Sequence, residues 1–120
     1  MTKILQEIFD RRLQEAVTLI KSFNINYEAL GIFGSYARNE FKGSSDIDLC
    51  MIIKERPPRR VSGELRELLE LKGVDLVFVT PEYFQNSNDR FAINLRNDWR
   101  EINEKWLLFY RNGRIKICRS

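Results

Sequence analysis

The 120-residue sequence predicts a small α/β domain, a sheet flanked by helices and followed by a C-terminal β-hairpin. Three observations carry the prediction. The chain opens on an amphipathic helical period, short apolar runs then alternate with helix-length stretches, and an Asn-Gly pair near the end separates two strand-like runs. Alternation of this kind specifies layers without fixing strand direction. No repeat, low-complexity segment or linker divides the chain, so residues 1–120 are expected to form one domain.

Each element has its own warrant. Between residues 4 and 20, Ile4, Leu5, Ile8, Phe9, Leu13, Ala16, Val17 and Ile20 recur three or four apart, which predicts a helix with one core-facing stripe. Asn24 and Asn26 stop it. Residues 29–33, Ala-Leu-Gly-Ile-Phe, form an apolar run short enough for a buried strand, and Gly34-Ser35 ends it. Ser35 is expected to cap a helix of about one and a half turns over 36–41. Residues 42–45 return the chain to a second strand over 46–54, in which Ile47, Leu49, Met51 and Ile53 face one way and Asp46, Asp48, Cys50 and Ile52 the other. Pro57-Pro58-Arg59-Arg60 reads as a solvated loop. Ser62 is expected to cap a helix carrying Leu65, Leu68, Leu69 and Leu71 that closes at Lys72-Gly73. Residues 74–79 are a third apolar strand, interrupted by Asp75. Phe91, Leu95, Trp99 and Ile102 favour one further helix. Asn112-Gly113 then marks a hairpin turn, because both residues tolerate the positive φ of a type I′ turn.

Composition narrows the chemistry. The chain has no histidine, which removes histidine-based triads, histidine acid/base catalysis and histidine metal sites. Residues 1–110 hold 16 Lys/Arg against 17 Asp/Glu, and the last ten residues add Arg111, Arg114, Lys116 and Arg119 with no acid. The net charge of +3 is therefore a local basic tail. The balanced remainder argues against broad nucleic-acid binding, and the tail reads first as a solvated hairpin and second as a contact for an acidic partner. Apolar runs are too short to span a bilayer, and a charged N-terminal stretch is unlike a secretory leader. Cys50 and Cys118 form no metal or disulfide pattern. The expected setting is the cytoplasm, with no membrane partner.

Chemistry concentrates in Gly34-Ser35, ten residues, then Asp46-Ile47-Asp48, with Asp75 later inside an apolar strand. Carboxylates at i and i+2 on a strand share a face with Cα atoms about 6.5 Å apart, a spacing at which both can ligate one Mg²⁺ or bracket two. Gly34 permits a tight turn and close approach of a phosphate, and the Ser35 hydroxyl with the first-turn amides can hold its oxygens. Asp75 offers a third carboxylate, suited to a metal or to an attacking hydroxyl. Taken singly, these residues have plain structural explanations: a solvent-facing strand start, a helix cap, an exposed edge-strand acid. Arg38 and Lys42 similarly suit either phosphates or a solvated helix face, and Tyr36 either a base or the core. Their combination at this spacing is specific.

Read as GSYARNEFKGSSDID, the stretch resembles the signature of the minimal nucleotidyltransferases of the DNA polymerase β superfamily. The resemblance implies a small nucleotidyltransferase fold with a mixed sheet, Gly34, Ser35 and Arg38 binding nucleotide, and Asp46, Asp48 and Asp75 as catalytic and metal-binding acids. It further implies Mg²⁺, one or two ions, with ATP as substrate. Asn39 stands where many relatives have glycine, and asparagine tolerates the same left-handed geometry. Stand-alone proteins resembling this one act as antitoxins beside a helical HEPN-family ribonuclease toxin, adenylylating one of its tyrosines. That is the expected function, a protein adenylyltransferase whose partner completes the site. The alternatives are a small-molecule, antibiotic-type nucleotidyltransferase and a non-catalytic toxin-binding module.

Overall fold

A computed structural model of the chain describes residues 3–102. The predicted hairpin, the basic tail, Trp106 and Cys118 lie outside the described residues.

The first helix, α1 (Lys3–Ser22), buries Phe9, Leu13, Ala16, Val17 and Ile20. Ile4 and Ile8, expected on that stripe, are instead 70% and 49% exposed. At about 100° per residue both lie more than a quarter turn from its centre, whereas Asp10 falls close enough to be buried. Asn24, at φ 53°, ends the helix in the left-handed region, where asparagine is tolerated.

Strand β1 (Ala29–Phe33) pairs antiparallel with β2 (Ile47–Ile52), which pairs parallel with β3 (Val74–Val79). A two-residue strand, β4 (Arg100–Glu101), pairs antiparallel with the other side of β1, giving a mixed sheet ordered β3-β2-β1-β4. Alternation divides its side chains into two faces. Leu30, Ile32, Ile47, Leu49, Met51, Val74 and Leu76 meet α1 and the helix α3 (Arg59–Leu71) through Leu65 and Leu69, forming the main core. Each such fully buried side chain contributes roughly 1.5–3 kcal/mol, which anchors the sheet from behind. The other face carries Phe33, Asp48 and Asp75.

Several local expectations are corrected. α2 (Gly34–Ala37) is a single turn, begins at Gly34 itself and follows Phe33 without a side-chain cap, so Ser35 lies inside the turn. It stops early because Asn39 takes φ 61°. α3 starts three residues before Ser62, whose hydroxyl donates to the Arg59 carbonyl instead of capping. Arg59 and Arg60 thus belong to a helix and not a loop. Leu71 is 85% exposed because it follows Leu69 by two positions, on the opposite side of the helix.

Beyond β3 the chain forms two short helices where one was expected. In α4 (Pro81–Asn86), the Thr80 hydroxyl accepts from the Tyr83 amide and proline occupies the first turn. In α5 (Arg90–Asp98), the Asp89 carboxylate caps the Ala92 amide at 2.8 Å. Trp99 ends α5, and its ring lies so close to Gly31 that a Cβ there would meet it at 2.5 Å. Glycine in β1 therefore lets α5 and β4 close over the second face. No helix among the described residues is long and apolar enough to cross a membrane.

Candidate active site

The site is built where three strands come level. In the sheet register Asp48 of β2 stands opposite Phe33 of β1 on one side and Asp75 of β3 on the other. Residues paired across neighbouring strands share a face, so Asp48 and Asp75 emerge together at the end of the sheet where β1 runs into α2. Asp46, one residue before β2, belongs to the same cluster. The structure thus brings the three predicted carboxylates into one neighbourhood.

Their electrostatics follow from that placement. Asp48 has its pKa pushed up to about 6, first by burial and then by the negative charges of Asp75 and Asp46; the Arg38 guanidinium opposes the rise. Burial and like charge both disfavour the ionised carboxylate. Asp75 and Asp46 are exposed, so the cluster has a half-buried floor and an open rim.

Gly34 fits this floor for two separate reasons. Its φ is +78°, and the Asp48 carboxylate lies directly against its Cα, in the space that a Cβ would fill. The turn and Asp48, the second acid of the Asp-x-Asp pair, are consequently packed into each other, which ties the glycine to that pair in space as well as in spacing. Ser35 follows, half-buried, at the start of α2. Its hydroxyl has no hydrogen-bond partner among the described residues.

Tyr36 and Ala37 point the other way, into the core. Tyr36 is 4% exposed, packs with Phe9 and Phe41, and donates its hydroxyl to the buried Asp10 carboxylate at 2.5 Å. Gln6 donates to the same oxygen at 2.7 Å. Of the two readings of Tyr36, core packing is the one realised. The contact fastens the glycine turn to α1, and burial of Asp10 raises its pKa despite those hydrogen bonds.

Arg38, the remaining predicted nucleotide-binding residue, is 45% exposed and held by two carboxylates, Glu40 at 2.9 Å and Asp98 at 2.6 Å. Asp98 was not among the residues the sequence pointed to. Its Oδ2 accepts from both Arg38 Nη1 and the Gly34 amide, the latter at 3.2 Å. It is the last residue of α5 and 60 positions from Arg38, and no local motif marks it.

The donor set suits a hard cation, since it consists of carboxylate oxygens whose mutual repulsion an ion relieves. Among the described residues, however, no three carboxylate or thiol side chains stand close enough together to hold a metal ion by themselves. Mg²⁺ is commonly bound through only one or two carboxylates, with water and phosphate oxygens completing its shell, so any ion here would need those further ligands.

A glycine turn and a hydroxyl beside strand carboxylates, all at one end of a mixed sheet, place the chain in the class of α/β domains that handle phosphoryl groups. Residues 13–104 match the family model described as "Nucleotidyltransferase domain", and the chain belongs to that family: it is a nucleotidyltransferase. No curated protein sequence matches it. Among solved structures, a toxin–antitoxin with AMP-PNP superposes with a TM-score of 0.53 at 15% identity, over 86% of this chain and 82% of that one. A mutant of the toxin–antitoxin MntA-HpeT gives a TM-score of 0.50 at 14% identity, over 82% of this chain and 80% of that one. A protein from Sulfolobus solfataricus, described as a nucleotidyltransferase, gives 0.48 at 26% identity, over 74% and 85%. The two toxin–antitoxin structures share this chain's fold.

Proposed function

We propose that the protein transfers AMP from ATP to a hydroxyl acceptor, a tyrosine of a helical HEPN-type toxin, and so acts as an MntA-like antitoxin in the cytoplasm. The observation that carries the reading is the level row of Asp48 and Asp75 packed against the Gly34-Ser35 turn. In this reading the turn receives phosphate and the carboxylates beside it receive positive charge. The toxin–antitoxin nature of two proteins of the same fold, one of them holding AMP-PNP, supports the choice of partner and nucleotide.

In this reading the Ser35 hydroxyl and the remaining N–H groups of Arg38, whose Nε and Nη1 already bond Glu40 and Asp98, hold the β and γ phosphates, while Gly34 supplies closeness of approach and not a donor, its amide being taken by Asp98. Asp46 and Asp48 would hold Mg²⁺, with Asp75 completing the set. When bound there, such an ion would supply Lewis-acid polarisation of the phosphate and charge neutralisation. Asp75 accepts the proton of the acceptor hydroxyl. The freed oxygen attacks the α-phosphorus in line, a P–O bond forms to the acceptor, the bond to the bridging α,β oxygen breaks, and pyrophosphate leaves with that electron pair. Positioning of the two reactants accounts for much of the acceleration in such a step.

The test is to co-express the chain with the protein of its adjacent open reading frame and examine the complex by intact and peptide mass spectrometry. The reading predicts a helical partner gaining one AMP on a tyrosine. AMP found only on small molecules, with no protein partner recovered, overturns the antitoxin assignment.

A further inference from the structure

We infer that Asp98 is a positioning residue of the nucleotide site, acting through Arg38; the inference rests on the nucleotide reading above and extends it to a residue outside every motif. One carboxylate oxygen of Asp98 receives both Arg38 Nη1, at 2.6 Å, and the Gly34 amide, at 3.2 Å. The two groups come from opposite ends of α2, so a single oxygen from α5 clamps the turn at both ends. The Asp98 side chain is only 13% exposed, whereas Glu40, the other partner of Arg38, is 65% exposed.

The difference in exposure decides which partner orients the guanidinium. A well-exposed pair two residues apart is worth about 0–1 kcal/mol, and solvent competes freely for it. A carboxylate largely removed from water, already fixed by a backbone amide and reached through a charge-assisted hydrogen bond, holds its partner in one place. Arg38 would otherwise sample many rotamers at the surface. Held by Asp98, it stands near enough to Asp48 to favour that carboxylate's ionised form, and its remaining N–H groups stay available over the turn. The clamp also links the site to the Trp99 closure of the second face, because Asp98 and Trp99 are consecutive at the end of α5.

The experiment measures ATP binding in the presence of Mg²⁺ by calorimetric titration for wild type, Asp98→Asn, Arg38→Gln and the double variant, with melting temperatures alongside. Asparagine keeps an oxygen for the Gly34 amide and removes the charge that holds Arg38. The expected result is a five- to tenfold weaker affinity for Asp98→Asn at an unchanged melting temperature, recovery in Asp98→Glu, and a double variant no weaker than Arg38→Gln alone. In transfer assays the loss falls on KM for ATP, with kcat within twofold. Additive losses in the double variant, unchanged affinity, or tighter binding by Asp98→Asn overturn the inference. A wild-type protein that binds no ATP removes the nucleotide reading and this inference together, whereas normal binding by wild type and Asp98→Asn alike removes only the role of Asp98.

Discussion

Replacing Asp48 with asparagine should make the protein more stable while removing its activity. The folded pKa of Asp48 lies at about 6 against an ordinary 3.8, a difference whose ceiling at about 1.4 kcal/mol per unit is roughly 3 kcal/mol. Partial exposure to water screens the interaction, which leaves an expected gain of about 1–2 kcal/mol. For a domain of this size that raises the melting temperature by roughly 4–8 °C. A carboxyl whose folded pKa is raised binds more protons in the native than in the unfolded state between the two values. Its penalty is therefore absent below the unfolded pKa, grows as pH rises through the window from 3.8 to about 6, and is fully present above it. Thermal melts of wild type and Asp48→Asn, in chelator at about pH 4 and about pH 8, read the effect directly. The variant should gain stability at the higher pH and converge with wild type at the lower one. A difference independent of pH, or a variant less stable at the higher pH, would refute the claim that burial and the neighbouring carboxylates disfavour the Asp48 charge. Adding Mg²⁺ at the higher pH should stabilise wild type more than the variant.

Gly34→Ala should destabilise by about 2–5 kcal/mol, combining roughly 1–2 for the left-handed backbone with roughly 1–3 for displacing the Asp48 carboxylate. Gly63→Ala is its control: the α3 site faces open space, so alanine there should add up to about 1 kcal/mol. Denaturant melts separate the two, and equal effects would contradict the geometry of the turn. Cys50 is fully buried and its thiol is pushed up to about 12 by burial, so it should resist alkylation at about pH 8 in the native protein and react fully once unfolded; rapid native modification would contradict its placement.

Much of the site could be read from residue types at fixed spacing. Gly34-Ser35 and Asp46-Ile47-Asp48 announce themselves because a strand-end turn and an i, i+2 pair are local facts, and the alternation in β2 assigned Asp48 to the face opposite Leu49 without knowledge of the neighbours. Asn39 was legible for the same reason, its left-handed φ being a property of one residue. Asp98 was not. Its role depends on α5 returning beneath the turn, a tertiary event that leaves no periodic trace. β4 was missed because two residues are too few to alternate, and its pairing with β1 is bought by Trp99 packing on Gly31. The α4 helix did carry a readable signal, Thr80 followed by Pro81, a capping hydroxyl before a first-turn proline. Ser35 misled because a hydroxyl after glycine suits both a cap and the interior of a one-turn helix, and only the backbone distinguishes them.

If Asp46 and Asp48 form the working end of a nucleotidyl-transfer site, ATP labelled in its α-phosphate reads their contribution directly. Purified wild type, Asp46→Asn and Asp48→Asn are each incubated with labelled ATP, Mg²⁺ and the purified product of the adjacent open reading frame, and protein-bound label is counted. Wild type should place label on the partner, and either variant should leave the partner near background. Label on the partner at the wild-type level with either variant would contradict that assignment.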